Sequence, residues 1–412
     1  MNRLTSEQAQ ILFECGGFII LTSLPESSEF GIDGTYVPDY SPASLLVACS
    51  NNDHPDSFHL TRRFSGVKFL TPGIHLISWS PAAASSTAGQ SAIPLRSGLI
   101  HVFKPKERIV LSYDKESETV AETLGSGELI SDDHLKTLDA ELAPYPFEGL
   151  DRWKALTRHI SQDVVQTVLG PSERVDGMMQ AEGEEDVEDG KECRARSATG
   201  HQTMRFPQFR LKRSWRDGAI GEEVTRYARD KSWLLGDLIS SPLDSHPRAL
   251  LGHLELAFIL MLYLSSYSAL LVYKRLLLLF CRSSRILVSP KDYIATADAD
   301  KAVRGTYIAL VHTLATQITS LPDSAFETEL PEMDVYYLDE IKSLGNNLST
   351  SLEGWAESEQ GQARQAWGKL RGCAKDKWDW EIGDLDLTPN RLFDDDDEED
   401  EGGEFAPVVV EI

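Results

Sequence analysis

The sequence predicts an α+β protein in which an antiparallel β-rich N-terminal domain is followed by an all-α C-terminal domain and an acidic tail. Short runs of β-branched and aromatic residues alternate with Gly, Pro and Ser in the first third of the chain, as in antiparallel β domains. From about residue 219 to 382, apolar residues recur at helical spacing. The 412-residue chain is 41% hydrophobic, which provides enough apolar side chain for real cores.

The N-terminal domain is predicted to span residues 1–150. A short amphipathic helix from Thr5 to Glu14 precedes its first strand. Thr71-Pro72-Gly73 predicts a chain reversal, because Pro and Gly suit the two central positions of a type II turn. That turn type would splay a tight hairpin, so we expect a looser connection. The predicted strands are residues 18–21, 64–70, 74–79, 99–103 and 108–113.

The middle of the chain is predicted to change to helix and then to lose order. Ser131 is the expected N-cap of a helix that ends near Ala143, because two Asp residues follow it in the first turn. Apolar residues at helical spacing predict a connecting helix over residues 151–170. Residues 171–204 are rich in Gly, Glu and Asp, with few apolar side chains, and are predicted to be a disordered linker.

The C-terminal domain, residues 205–385, is predicted to be almost entirely helical. Its stretch Leu256 to Tyr273 carries no charge and is long enough to suggest a membrane span. Ser265-Ser266 interrupts this stretch and can cap a new helix, so we favour two buried antiparallel helices. The predicted helices are residues 219–239, 248–264, 267–282, 291–319, 332–350 and 353–371.

Composition limits the classes of function. There are 65 Asp and Glu against 40 Lys and Arg, and the formal net charge is −25. A general nucleic-acid binder needs an excess of Lys and Arg, and anionic membranes would repel such a chain. The five cysteines are odd in number and widely spaced, which favours a reducing intracellular compartment over a disulfide framework.

Motifs for catalysis do not stand out in the sequence. It contains no phosphate-binding glycine loop, no GxSxG elbow and no HExxH pair. Asp132-Asp133-His134 are consecutive and diverge on a helix, so they fit a helix start better than a metal site. His253 and Glu255 are two residues apart and do not share a helix face. We expect no enzyme activity, no catalytic residue, no cofactor and no metal site.

The segment from Arg205 to Arg216 is the one basic cluster with aromatic residues interleaved. Phosphate neutralisation and base stacking could make it an arm that binds single-stranded RNA. Alternatively, its aromatic residues anchor in the helical core while its bases pair with nearby carboxylates. We favour anchoring, because the surrounding sequence is acidic, and keep RNA binding as the alternative function.

The C-terminal tail, residues 386–412, combines an acidic run with an apolar end. Nine carboxylates between Asp394 and Glu404 predict an extended, self-repelling tether. The end favours a β-strand, which needs a sheet edge to pair with. That edge can belong to a partner or to the chain's own N-terminal sheet. The candidate partner-binding residues are Pro407, Val408, Val409, Val410, Glu411 and Ile412.

Several stretches, taken in order, form a recognisable series. They are Glu29 to Asp33, Phe64 to Lys68, Pro72 to His75, Pro144 to Pro146 with Trp153-Lys154, Leu251 to Phe258, Lys274 to Leu277, Leu279, Cys281 to Ser283, Trp378 to Trp380 and Ala406 to Glu411. No one stretch is specific, but their order and spacing extend through nearly the whole chain. Together they resemble the A1-cistron splicing factor (Aar-type) family of U5 small nuclear ribonucleoprotein assembly factors.

The resemblance implies a β-rich domain joined to a helical domain, without catalysis. It also implies binding to the large U5 scaffold protein, on its RNase H-like and Jab/MPN-like domains. In the family this occupancy keeps the U5 RNA helicase off until the precursor matures in the nucleus, so a cytoplasmic protein that shuttles is expected. The tail is implied to bridge partner domains as an added strand, which favours an external edge. The later bases of residues 205–216 depart from the family pattern.

Overall fold

The computed structural model describes residues 6–25, 28–36, 64–80, 96–114, 119–122, 130–182, 202–241, 243, 246–330 and 333–385. The chain divides into two compact units. The first contains residues 1–154, 161–179 and 263–266, and the second contains residues 155–160, 180–262 and 267–412. The predicted fold class is confirmed, since strands dominate the N-terminal part and helices the C-terminal part.

Two five-stranded sheets form the first unit. One has the strand order β8-β7-β1-β4-β9 and the other β10-β6-β5-β2-β3. The strands are β1 (Gly17–Thr22), β2 (Glu29–Ile32), β3 (Thr35–Tyr36), β4 (Gly66–Leu70), β5 (Gly73–Ser80), β6 (Ser97–Phe103), β7 (Arg108–Asp114), β8 (Thr119–Glu122), β9 (Leu142–Pro144) and β10 (Arg174–Asp176).

Strand β1 shows how the first unit builds two cores. Side chains alternate between the faces of a strand. Ile19 and Leu21 therefore pack into a cluster that also contains residues of the second sheet, such as Phe30 and Trp79. Phe18 and Ile20 face the other way, where helix α1 (Ser6–Cys15) and helix α2 (Asp132–Leu138) provide Leu12, Phe13, Leu135 and Leu138.

The predicted antiparallel pairing holds in the second sheet, but the first sheet is mixed. Strand β1 pairs antiparallel with β4 but parallel with β7, and β4 pairs parallel with β9. The prediction that the helix after Ser131 continues to about Ala143 is wrong, because α2 ends at Leu138 and Leu142–Pro144 forms strand β9. The carbonyl and amide of Ala143 are needed at the sheet edge beside Val67.

The Thr71-Pro72-Gly73 reversal connects the two sheets. Strand β4 lies in the first sheet and β5 in the second, so the strands on either side of the turn do not pair with each other. Gly73 has φ +134°, a conformation that favours glycine. The expectation of a connection looser than a tight hairpin is confirmed.

The region after residue 150 differs from its prediction. The connecting helix is two helices, α3 (Leu150–Leu156) and α4 (Gln162–Leu169), and Ser161 caps the second by accepting from Val164 N at 3.3 Å. The linker prediction for residues 171–204 is wrong at both ends. Strand β10 pairs with β6, and Ala181 forms a bridge with Met204. Residues 183–201 lie outside the described part.

The described part of the second unit is helical. Its helices are α5 (Glu222–Arg229), α6 (Ser232–Ser240), α7 (Pro247–Leu264), α8 (Tyr267–Cys281), α9 (Arg285–Val288), α10 (Ala299–Ser320), α11 (Met333–Ser351) and α12 (Glu357–Trp378). A π-helical turn, Ala325–Glu329, precedes α11. The last two residues of α7 group with the first unit.

Two breaks divide apolar segments of this unit. Ser265 has φ +54° and separates α7 from α8, as predicted. Helix α7 is long and apolar enough to cross a membrane by composition, but 78% of it is buried inside the protein. The single helix predicted over residues 219–239 is wrong, because Asp230 ends α5 and its Oδ1 accepts from Ser232 N at 2.7 Å to begin α6.

Candidate functional site

The predicted partner-binding strand belongs to the C-terminal tail. Pro407, Val408, Val409, Val410, Glu411 and Ile412 lie outside the described residues, as does the whole of 386–412. The assignment of these residues stays a prediction.

Asp33, His75 and Tyr145 meet in a buried network within the first unit. Asp33 Oδ2 lies 2.6 Å from His75 Nδ1 and accepts the Tyr145 hydroxyl at 2.5 Å. Asp33 Oδ1 accepts Leu76 N at 2.9 Å. His75 Nε2 lies 2.7 Å from the Thr71 carbonyl oxygen. Because that carbonyl can only accept, Nε2 is the donor in this contact.

Burial gives this network its strength. Asp33 and His75 are 5% and 1% exposed, so an unpaired carboxylate would be costly there. Burial raises the pKa of Tyr145 well above its usual range, and the Asp33 charge raises it further, so the phenol stays protonated and donates. Nearby, Trp153 Nε1 donates to the Ile74 carbonyl at 2.7 Å. These contacts fasten β2, β5 and the chain after β9 together.

Sequence analysis did not predict this network, although it named the stretches that contain all three residues. Asp33, His75 and Tyr145 each belong to a different one of the stretches that carry the family resemblance. A signal was present, because each is a lone polar side chain beside apolar neighbours. Their separation along the chain hid their convergence.

A second cluster in the first unit surrounds His101. Its Nδ1 lies 2.6 Å from Glu173 Oε2 and its Nε2 lies 3.2 Å from Glu107 Oε1. Gln162 Nε2 donates to Glu173 Oε1 at 2.6 Å. Burial by itself lowers the pKa of His101, but hydrogen bonds and charges from Glu173 and Glu107 outweigh burial and raise it. The imidazolium therefore holds two carboxylates together.

His253 and Glu255 have separate surroundings within the second unit. Glu255 is fully buried and accepts from His159 N at 2.7 Å, His159 Nδ1 at 2.6 Å and Thr313 Oγ1 at 3.1 Å. Burial lowers the pKa of His253 to about 4, and its ring lies 6.2 Å from that of Phe206. These contacts agree with the prediction that the two side chains point to different faces.

The Asp132-Asp133-His134 triplet begins a helix. Ser131 Oγ accepts from His134 N at 3.2 Å, which confirms the predicted N-cap. Arg108 pairs with Asp132, and Lys136 with Asp133 at 3.1 Å. Within the described ranges, no group of three or more His, Cys, Asp or Glu side chains is arranged to hold a metal ion.

The basic-aromatic segment 205–216 is anchored through its apolar residues. Phe206, Phe209 and Leu211 are buried. The Arg275 guanidinium lies 4.8 Å from the centre of the Phe209 ring and donates to the Phe209 carbonyl. Aromatic faces that are covered in this way cannot stack on bases, so the structure favours the anchoring interpretation.

Lys231 stabilises the segment through hydrogen bonds. Its Nζ donates to the Leu211 carbonyl at 3.1 Å, Ser214 Oγ at 2.9 Å and the Ala228 carbonyl at 2.5 Å. Burial, together with the Arg282 charge, lowers the pKa of Lys231 to about 8, although Asp230 acts in the opposite direction. The buried amine thus ties the segment to α5.

The bases of the segment face outward and form exposed ion pairs. Arg213 pairs with Asp217 at 2.6 Å, and Arg216 pairs with Glu223 at 2.7 Å. Arg205 Nε lies 3.4 Å from Glu182 Oε1. Exposed pairs of this kind are weak because water and salt screen them, so a stronger anionic ligand can replace them.

A groove of about 530 Å³ lies between this segment and α6. Buried Phe209, Leu234 and Leu238 line it with apolar atoms, and Trp215 and Trp233 are half-buried beside it. Exposed charges of both signs complete the lining, namely Arg210, Arg213, Asp217 and Asp237. This volume is in the range of sites that hold a small ligand or a few side chains.

The described part of the chain defines a class of protein, a two-unit α+β protein. Its buried polar clusters form hydrogen bonds within their own fold, and its helical unit carries an open groove. Family models match both halves of the chain. The AAR2 N-terminal domain matches residues 54–170, and the AAR2 C-terminal repeat region matches residues 206–383.

Curated relatives support the same family assignment. The mouse protein AAR2 homolog is 24% identical over 350 residues, which cover 79% of this chain and 81% of that protein. The human homolog is 26% identical over 320 residues, 69% of this chain and 74% of that one. The Caenorhabditis elegans homolog is 29% identical over 167 residues, 40% and 38% of the two chains. The chain belongs to the AAR2 family of splicing factors.

Proposed function

We propose that this protein is a non-enzymatic assembly factor of the U5 small nuclear ribonucleoprotein. It binds the RNase H-like and Jab/MPN-like domains of the large U5 scaffold protein and keeps the U5 RNA helicase away until the particle matures. It acts in the cytoplasm and shuttles to the nucleus. The observation that supports this proposal is the match of family models to residues 54–170 and 206–383, which reaches both units.

The buried networks are consistent with a binding function. The Asp33 and Glu255 carboxylates are almost completely buried and hydrogen-bonded to their own fold. Such groups stiffen a surface that a partner can recognise, and they are not exposed to a substrate. In this proposal the two units supply most of the interface with the scaffold.

The tail adds to that interface as a strand. Residues 407–412 can pair with a sheet edge of the scaffold through roughly four backbone hydrogen bonds, each worth a net ~0.5–1.5 kcal/mol. The acidic run from Asp394 to Glu404 precedes this strand, and repulsion between its like charges favours an extended tether that lets the strand reach a scaffold edge. The tail is therefore an increment of roughly 2–6 kcal/mol to an interface formed by the units.

The test compares the full chain with a chain that ends at Ala406. Calorimetric titration with the purified RNase H-like and Jab/MPN-like domains should show a dissociation constant at least ~30-fold weaker for the shortened chain, because ~2 kcal/mol corresponds to that ratio. The melting temperature should be unchanged. Unchanged affinity combined with a lower melting temperature would mean that the strand pairs within its own fold.

A matched pair of substitutions sharpens the test. Val409→Pro removes a backbone N–H donor and should weaken binding as the deletion does. Val409→Thr keeps the β-branched shape and the donor and should bind like the natural chain. For helicase exclusion, saturating amounts of the full chain should prevent the helicase from binding the scaffold domains, and simultaneous binding of both would refute that part of the proposal.

A further inference from the structure

The groove between residues 208–217 and α6 has a mixed chemistry that suits one kind of ligand. Phe209, Leu234 and Leu238 form an apolar floor, and Trp215 and Trp233 stand beside it. Arg210 and Arg213 are exposed at its edge. An aromatic side chain attached to a run of carboxylates would satisfy both the apolar and the cationic parts.

The acidic residues of the groove restrict how such a ligand can lie. Asp217 pairs with Arg213 at 2.6 Å, and Asp237 is exposed on α6. A carboxylate run would be repelled from the side of Asp237. It would instead follow the basic segment, in which residues 205–216 contain five Lys and Arg and no Asp or Glu.

The chain itself contains a segment of this chemistry. Phe405 follows directly after the nine carboxylates of Asp394 to Glu404. We propose that, in the partner-free protein, Phe405 seats in the groove of its own chain while the acidic run lies along residues 205–216. This contact goes beyond scaffold binding and would regulate the tail before a partner arrives.

Chain length permits the contact. The described residues end at Leu385, and twenty residues lead from there to Phe405. An extended chain of that length spans roughly 65–70 Å. A domain of about 200 residues has a radius of gyration near ~16 Å and hence a diameter of ~40 Å, so the whole surface of the helical unit is within reach.

The contact would protect the terminal strand. Val408, Val409 and Val410 follow Phe405 closely, and an unpaired β-branched segment can join foreign sheet edges. Holding Phe405 on the helical unit keeps the valines beside their own fold. A partner that offers the correct sheet edge then competes with the groove for the tail.

The test uses the full, partner-free chain with a photoreactive p-benzoylphenylalanine at position 405. After irradiation, mass spectrometry should find cross-links concentrated in residues 208–217 and 233–241 of the same chain. The same probe at position 393, at the opposite end of the acidic run, is the control and should give at least about threefold less cross-linking to residues 233–241, because twelve extended residues separate it from position 405 by roughly 40 Å. Cross-links scattered over the surface, or formed mainly between two chains, would overturn the proposal.

Charge reversal provides a second readout. Arg210→Glu with Arg213→Glu should lower the cross-link yield at position 405 by about threefold or more, because the two reversals replace attraction of the acidic run by repulsion. Lys104→Glu with Lys136→Glu, the same number of reversals at exposed lysines of the first unit, should leave the yield unchanged. Equal cross-link yields from the probe-bearing natural sequence and from both charge-reversed variants would refute docking through charge. Failure of this docking would leave scaffold binding by the tail intact, so the two proposals are tested separately.

Discussion

The Tyr145 hydroxyl donates a 2.5 Å hydrogen bond to the Asp33 carboxylate, which lies 112 residues earlier in the chain. Asp33 is also held by His75 and by the Leu76 amide. The network joins segments of the first unit that share no local sequence signal, and it makes the stability of the unit sensitive to single atoms.

Removal of one hydrogen-bond donor should therefore lower the free energy of unfolding. Tyr145→Phe leaves a buried carboxylate with one hydrogen bond fewer, and we expect a loss of about 1–3 kcal/mol in the free energy of unfolding, measured by urea denaturation. Tyr267→Phe is the control, because Tyr267 is 66% exposed. Equal losses for the two variants would show that the network does not stabilise the fold.

The His101 cluster should make stability depend on pH. The folded-state pKa of His101 is raised, so its stabilising contribution is complete below the unfolded pKa of about 6.5 and disappears as the pH rises through the folded pKa. The natural chain should lose more stability between pH 6 and about 8 than His101→Asn does. Parallel curves for the two proteins in chemical denaturation would contradict this assignment.

Lys231 should change the pH dependence of stability in the direction opposite to His101. Its pKa falls to about 8 in the fold, against about 10.4 in an unfolded chain, so the unfolded state binds more protons between these values. This amine therefore makes the fold more stable as the pH rises from about 8 to about 10.4. Subtracting the unfolding free energies of Lys231→Met from those of the natural chain isolates this slope. A difference that is constant with pH would show that the amine has an ordinary pKa.

Close packing in the helical unit can be tested at two glycines. A Cβ at Gly345 would lie 2.6 Å from Cζ2 and 2.9 Å from Cη2 of buried Trp367, so Gly345→Ala should destabilise the protein by about 1–3 kcal/mol. A Cβ at Gly368 of α12 would meet nothing within 4 Å. Gly368→Ala should therefore stabilise by up to about 1 kcal/mol through helix propensity. Thermal melting distinguishes the two, and a stabilising Gly345→Ala would mean that the Trp367 ring moves aside easily.

Several local features could be predicted because their causes are local. The strand at residues 18–21, the N-cap at Ser131 and the break at Ser265 depend on residues within a few positions. The anchoring of residues 205–216 could be predicted from composition, because aromatic side chains in an acidic chain gain more from burial than from an anionic ligand.

Other features depended on distant residues. Asp230 divides the predicted helix 219–239 because its Oδ2 also accepts from Ser284 Oγ at 2.5 Å and Arg285 N at 3.1 Å. Helical periodicity carries no information about a partner more than fifty residues away. Strand β10 was missed for the same reason, since Arg174 to Asp176 are a strand only because β6 supplies the hydrogen bonds.

The sequence by itself determined the fold class and the division into a β-rich part, a helical part and an acidic tail, since these follow from composition and short-range periodicity. It also indicated the family, through the order and spacing of the matching stretches. Only the tertiary structure decided that Asp33 lies within hydrogen-bond distance of both His75 and Tyr145, that His101 lies between two carboxylates, and that residues 208–217 and α6 enclose a groove. These relationships are distances between residues far apart in the chain, and such distances are fixed by packing.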